Sequence, residues 1–301
     1  MSDTVVTQAK NRSLWSDVWA QYKTHRGALI GTFIFGFIIL AVGLGPFIYD
    51  VDPQYLNIRD KNQGPSLSHL LGTDQLGRDM LAQVLQGGRV SLAVGIIAML
   101  LSLVVGTTIG VLAGYFKRLD GPLMRLTDLF LALPLLPLLL VIIMLFRDTL
   151  RGMFGPETGI FILIVFIIGA TSWMQTARIV RGDVLALKER EFVLAASSIG
   201  TPSRRIISRH VLPNVLSPIM VSATLGVANA IITESSLSFL GLGFPSDFPT
   251  WGRLLYDGAQ YMTLSPARVI WPGLAISLTV LSVNFIGDGL RDALDPRIRG
   301  R

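Results

Sequence analysis

The chain contains no cysteine, and only three of its 301 residues are histidine. The first absence removes disulfides, thiolate nucleophiles and cysteine-ligated metals, and it leaves the redox compartment open. Charged residues are scarce as well. They make up 15% of the chain against 51% apolar residues, and the mean hydropathy is +0.56, a departure from globular averages toward membrane proteins. No Gly-Lys dipeptide occurs, so a Walker phosphate loop is missing and the chain cannot bind and hydrolyse ATP in that way. Neither Gly-x-Ser-x-Gly nor His-Glu-x-x-His occurs, which leaves no recognised hydrolase signature. An intramembrane serine protease would need a histidine at membrane depth, and His25, His69 and His210 all fall outside the long apolar runs.

What is present is a series of long apolar runs. Residues 1–26 are polar, with Trp15, Trp19 and Tyr22 at helical spacing, which suggests a short interfacial helix. The first run, Gly27 to Tyr49, is long enough to cross a bilayer core of about 30 Å and has no small-residue cleavage site, so it reads as an uncleaved span. Further spans are expected at Val90 to Phe116, Thr127 to Phe146, Gly159 to Ile179, Leu212 to Gly241 and Val269 to Gly287. The fold class is therefore an all-α integral membrane protein with six transmembrane helices. The divisions are an N-terminal segment 1–26, a first helix 27–49, an outer segment 50–89, a five-helix core 90–290 and a tail 291–301. With both termini in the cytoplasm, 18 of the 26 Lys and Arg residues fall on the inner side, as the positive-inside rule requires. The net charge of +6 is then a topology signal, and its scatter among polar segments argues against a nucleic-acid surface.

A polar island from Arg181 to Pro213 interrupts the apolar runs. It reads as two short helices, the first from Asp183 to Ile199 and closed by Gly200 as a left-handed cap. Thr201 is the expected N-cap of the second and Pro202 its first residue. Ala195 and Ala196 beside Phe192 form a flat spot that would admit another protein's surface closely. Arg204, Arg205 and Arg209 allow a helix-turn-helix reading, but a loop anchored at both ends in apolar spans cannot easily enter a major groove.

The spacing Ala195, Ala196, Gly200, Leu212, Pro213 resembles the cytoplasmic loop of the membrane subunits of ABC importers. Leu194 stands where that pattern has Glu and His210 where it has Ile, while Glu191, one turn earlier, offers an acidic group instead. Several further strings are similar to the dipeptide and oligopeptide permease branch. They are His69-Leu-Leu-Gly-Thr-Asp-Gln-Leu-Gly-Arg-Asp79, Arg89-Val-Ser-Leu, Ser235-Ser-Leu-Ser-Phe-Leu-Gly-Leu-Gly243, Trp251-Gly252 and Gly287-Asp-Gly-Leu-Arg-Asp-Ala-Leu-Asp-Pro296. Within the permease pair of that branch, the chain resembles the member with the long segment between its first two spans. The resemblance implies a type I importer permease fold and a coupling helix that seats in a groove of an ATPase. It implies ATPase contacts at Glu191, Phe192, Ala195, Ala196, Gly200 and Pro213. The implied partners are a second homologous permease, two ABC ATPases and an extracytoplasmic solute-binding protein, in the lipid of a bacterial inner membrane. No cofactor is implied in this chain, with ATP and Mg²⁺ on the ATPases. Di- or oligopeptides are the implied cargo, and nickel complexes, glutathione and other small solutes belong to the same branch.

Two polar features stay open on sequence alone. In the outer segment a helix is expected from Thr73, with Asp74 at its positive end and Leu76, Met80, Val84 and Leu85 on one face. His69 precedes that helix while Asp74 and Asp79 would project from different faces of it, which favours a capped, salt-bridged helix over a metal site. Glu234 is the only Glu inside a span. Twenty-one residues beyond Pro213, it lies about 32 Å along the helix, near the outer mouth. It either bonds Ser235, Ser236 or a nearby loop, or, with Asn229 and Thr233, lines the entrance and attracts a cationic amino group. An ionisable residue in a span is also the mark of a proton-coupled carrier, but a carrier gives no reason for the docking loop.

Overall fold

Apolar runs set the long elements, and the computed structural model describes them over residues 14–294. Lys10, Arg12, Arg297, Arg299 and Arg301, all counted above as inner charges, lie outside the described residues, as do Pro296 and the side chain of Trp15. The helices are α1 (Leu14–Tyr22), α2 (Arg26–Ile48), α3 (Met80–Tyr115), α4 (Lys117–Ala132), α5 (Leu135–Phe154) and α6 (Pro156–Ala170). They continue as α7 (Trp173–Lys188), α8 (Glu191–Ser198), α9 (Ser203–Ile206), α10 (Leu216–Phe239), α11 (Trp251–Ala259) and α12 (Ala267–Leu294). No strand occurs among the described residues, only an isolated bridge between Thr73 and Asp79.

Five stretches are long and apolar enough to cross a membrane: α2, α3, α6 with α7, α10 and α12. A sixth exists if α4 and α5 count as one, and these two meet at 87°. The span expected over Thr127 to Phe146 therefore falls on a bent pair of helices in place of one continuous helix. The cause is legible at Leu133–Pro134, because proline forces the residue before it out of helical backbone and cannot donate to the preceding turn. Leu133 is indeed extended, with ψ 136°.

The outer segment also departs from expectation. The helix begins at Met80, not Thr73, and its N-cap is Asp79, whose Oδ1 accepts from Ala82 N at 2.9 Å. Asp74 does not open a helix. Its Oδ1 accepts from the backbone N–H groups of Leu76 and Arg78 at 2.7 and 2.9 Å, a side-chain alternative to helical bonding that folds residues 74–78 into a turn. Gly77, at φ +77°, completes the turn in a conformation closed to most side chains. Of the expected face, Met80 and Leu85 are buried, Val84 is half-buried and Leu76 is exposed. Asp79 Oδ2 meets Tyr49 Oη at 2.7 Å and His69 Nδ1 at 2.9 Å, clasping the end of α2 to the start of α3. Burial, then the bond to Asp79, push the Tyr49 phenol up to about 12, so it stays a neutral donor throughout the neutral range.

Small residues let the spans close on one another. Along α3, Gly106, Gly110 and Gly114 recur every fourth residue and face α7. A Cβ on each would lie 2.7 Å from Trp173 O, Ala177 O and Val184 Cβ respectively. On the neighbouring side, α7 is held to α4 by two ion pairs, Arg178–Asp128 and a bidentate Arg181–Asp120 at 2.5 and 2.7 Å. At the other flank α12 packs on α2 and α10, and Tyr22 of α1 lies against Gly289, its hydroxyl 2.6 Å from Thr32 Oγ1.

Candidate functional site

The polar island is more broken than the expected pair of helices. α7 stops at Lys188, Arg190 is extended, and a separate α8 starts at Glu191. The break turns Val193 and Ala196 back onto Val180, Val184, Ile206, Val211 and Val215 in one apolar cluster, which a straight helix would carry away from them. Gly200 caps α8 at φ +77°, with Gly200 N bonded to Ser197 O and Thr201 N to Ala196 O, as a left-handed cap requires. Thr201 is not an N-cap. Pro202 occupies that place, α9 starts at Ser203, and the chain passes through a π-turn (Ile207–Val211) and a 3₁₀ turn holding Pro213 before α10 begins.

The expected docking residues consequently divide. Glu191, Phe192, Ala195, Gly200 and Pro213 are exposed, but Ala196 is 8% exposed and belongs to the loop's own core. Its neighbours Phe192, Leu194 and Ile199 are instead 43%, 49% and 82% exposed, an apolar strip at the tip of the loop. Leu194, read from sequence only as a departure from the importer pattern, thus belongs to the exposed strip.

A groove leads away from this loop between α7 and α10. It consists of three hollows of about 540, 140 and 300 Å³, each sharing lining residues with the next. The first and second share Ile179, Ser222 and Leu225; the second and third share Ser172, Gln175 and Asn229. Helical periodicity explains the alignment. Ser172, Gln175, Thr176, Ile179 and Asp183 follow one face of α7, while Ser217, Val221, Ser222, Leu225, Asn229 and Thr233 follow one face of α10. From Ser217 to Thr233 the groove runs about 24 Å at the rise of an α-helix. Met99, Ser102 and Leu103 of α3 floor its middle, and the α4–α5 elbow, with Phe130, Leu131, Leu133 and Leu135, walls its far end. Asp183 and Arg291 line the hollow nearest the loop, and no ionisable side chain lines the other two.

Of the three expected pathway residues, Asn229 and Thr233 face this groove and Glu234 does not. One step along α10, Glu234 points the other way and is 0% exposed. Its Oε1 accepts from Ser238 Oγ at 2.8 Å, and its Oε2 lies 3.2 Å from Ser91 Oγ and 3.4 Å from Ser235 Oγ. Ser91 Oγ in turn accepts from Trp251 N at 3.2 Å. The carboxylate therefore joins α10 to α3 and, through Ser91, to the start of α11. The entrance reading of Glu234 is overturned by this burial, and a proton pathway through it has no opening to the groove. Around His69, Asp74 and Asp79, Asp74 is spent on its own turn, and no group of three or more metal-ligating side chains exists among the described residues.

Residues 106–300 match the family described as the binding-protein-dependent transport system inner membrane component, and residues 13–65 match the N-terminal transmembrane domain of oligopeptide transport permease C. The chain belongs to this family. It is 39% identical to a dipeptide transport system permease protein, DppC, of Alkalihalophilus pseudofirmus, over 95% of this chain and 91% of that one. It is 37% identical to an oligopeptide transport system permease protein, OppC, of Bacillus subtilis, over 96% and 92%. A glutathione transport system permease protein, GsiD, of Pectobacterium atrosepticum is 36% identical over 98% and 95%. Among solved structures, an inward-facing MetNI methionine ABC transporter chain superposes with a TM-score of 0.57 at 17% identity, covering 72% of this chain and 98% of that chain, which is a likeness of fold. The protein is thus a transmembrane permease subunit of an ABC importer with the type I fold, a non-catalytic membrane component whose system draws on ATPase, permease and binding-protein partners.

Proposed function

We propose that this permease imports di- or oligopeptides across a bacterial inner membrane. It does so as one of two related permeases above two ATPases that carry ATP and Mg²⁺, with an extracytoplasmic binding protein delivering the cargo. The names of the relatives support the cargo class, and the glutathione relative fits it because glutathione is itself a tripeptide. The 18 inner basic residues support cytoplasmic termini and a cytoplasmic 181–213 loop.

The observation that carries the coupling role is the apolar strip Phe192, Leu194 and Ile199, exposed at the loop tip beside Ala195. Polar loops do not normally leave three large apolar side chains in water, and a groove on an ATPase would bury them. Each fully buried side chain of this size contributes about 1.5–3 kcal/mol. The test is Ala195→Arg, because Ala195 is exposed whereas Ala196 would disrupt the loop's own packing. Ala195→Arg buries an unpaired charge in the interface and should abolish copurification of the ATPases while the membrane subunits still assemble. Retention of normal ATPase binding and normal peptide uptake by this variant would end the coupling reading.

A further inference from the structure

The middle of the groove has a composition that its position explains. The span formed by α6 and α7 is interrupted at Thr171 and Ser172, midway along a 33-residue crossing. Thr171 turns its hydroxyl back onto Ile167 O at 2.7 Å, but Ser172 does not use its hydroxyl to cap α7. One turn on, the Gln175 side chain is exposed and makes no hydrogen bond among the described residues, and the Asn229 side chain across the groove is in the same state. These three are the residues shared by two hollows, so they stand where the groove passes from one to the next. Below them the Ser222 Oγ is buried without a partner, although a helical serine ordinarily returns its hydroxyl to the preceding turn.

A buried unpaired hydroxyl such as that of Ser222 is costly to maintain unless something else pairs with it, and the exposed amides of Gln175 and Asn229 stand free to bond what enters the groove. We propose that Ser172, Gln175 and Asn229 form a way-station that hydrogen-bonds the main chain of the passing peptide and is blind to side-chain charge. Each amide side chain both donates and accepts, which matches the alternating N–H and C=O groups of an extended peptide. No ionisable group lines this part of the wall, so a lysine-bearing and a glutamate-bearing peptide meet the same surface. Charge first appears at Asp183 and Arg291, one of each sign, in the hollow nearest the loop. This wall therefore leaves charge selection to the binding protein.

The inference rests on the peptide-import reading, and the experiment separates the two. The assembled importer, with its ATPases and binding protein, is reconstituted in vesicles, and uptake of trialanine, Ala-Lys-Ala and Ala-Glu-Ala is measured with the binding protein saturated by each. The intact importer should carry all three at rates within about twofold of one another. Asn229→Asp places a fixed negative charge at the station and should slow Ala-Glu-Ala roughly tenfold relative to trialanine while sparing Ala-Lys-Ala, since like charges brought together in a low-dielectric site repel strongly. The paired change Gln175→Leu with Asn229→Leu should slow all three peptides by a similar factor. An unchanged Glu-to-Lys uptake ratio in Asn229→Asp, a strong charge preference in the unaltered importer, or failure of the variants to copurify with the second permease would each overturn the station and leave peptide import standing. If the unaltered importer hydrolyses ATP but carries none of the three, the peptide reading falls and the station with it.

Discussion

The glycine ladder of α3 makes a quantitative claim about how closely α7 must approach. At Gly110 a Cβ would sit 2.7 Å from Ala177 O and 2.8 Å from Val180 Cβ. The first of these is backbone, so no rotamer change relieves it. Restoring ordinary contact at about 3.4 Å requires the two helices to separate by roughly 0.7 Å along that vector, a shift of the kind that costs about 1–3 kcal/mol in a packed core. Gly110→Ala should therefore lower the stability of the detergent-solubilised complex by about 1–3 kcal/mol in thermal unfolding, against the small gain alanine gives an unobstructed helix. Gly182→Ala, on the free face of α7 with nothing within 4 Å, is the control and should be neutral or slightly stabilising. Gly106→Ala meets Trp173 O at the same 2.7 Å, so one displacement of α7 relieves both positions, and the double variant should cost less than the sum of the singles. If Gly110→Ala is as stable as the unaltered protein, or Gly182→Ala is destabilised as much, then backbone approach does not hold α7 in place.

Two further outcomes follow from the topology and the buried carboxylate. In this cysteine-free chain, Ser68→Cys and Ser198→Cys provide exposed probes at opposite ends of the bundle. An impermeant thiol reagent applied to intact cells should label only the first, and labelling of the second would reverse the orientation. Glu234→Gln keeps two acceptor or donor positions that rotatable serine hydroxyls can meet, and it should retain assembly and uptake. Glu234→Leu strands Ser91, Ser235 and Ser238 at about 1–3 kcal/mol for each orphaned group and should be lost during purification; a stable, active Leu variant would dissolve the proposed link from α10 to α3.

The spans were legible because an apolar run of about twenty residues has few alternatives, and Gly200 was legible because a left-handed cap favours one residue type. The elbow at Leu133–Pro134 was written in the sequence, but a run of leucines on either side outweighed it in a hydropathy reading. Asp74 illustrates a real ambiguity: the same side chain that favours a helix N-terminus also bonds its own following backbone, and Gly77 decides for the turn. The groove was visible only in part. Asn229 and Thr233 stood out as polar residues in a span, yet Ser102, Ser172, Gln175 and Ser222 carry the same signal, a polar residue recurring on one helical face of an apolar run. What sequence could not supply was the pairing of faces from three helices distant in the chain. Glu234 was misplaced for the same reason, since length along a helix gives depth but not the direction a side chain points.

These pieces converge on α7. One face lines the groove through Ser172, Gln175, Ile179 and Asp183; another meets the glycine ladder; a third presents Arg178 and Arg181 to α4; and its end leads into the exposed strip of α8. α4 starts beside the 181–213 loop and ends at the elbow that walls the far hollow, so α7 and α4 together join that loop to both ends of the groove. The more buried of their two ion pairs is the bidentate Arg181–Asp120, with each side chain about a third exposed, against more than half for Arg178–Asp128. Screening keeps its contribution to stability near 1 kcal/mol, too little to threaten the fold, while its planar geometry fixes how the two helices move together. Arg181→Ala should therefore leave assembly and ATP-dependent turnover of the ATPases nearly intact and lower peptide uptake per ATP hydrolysed. Exchanging the charges with Arg181→Asp and Asp120→Arg should recover part of that ratio. A loss in the single variant confined to subunit abundance, or a double variant no better than the single, would mean that the pair merely decorates the loop end and that motion reaches the groove by another route.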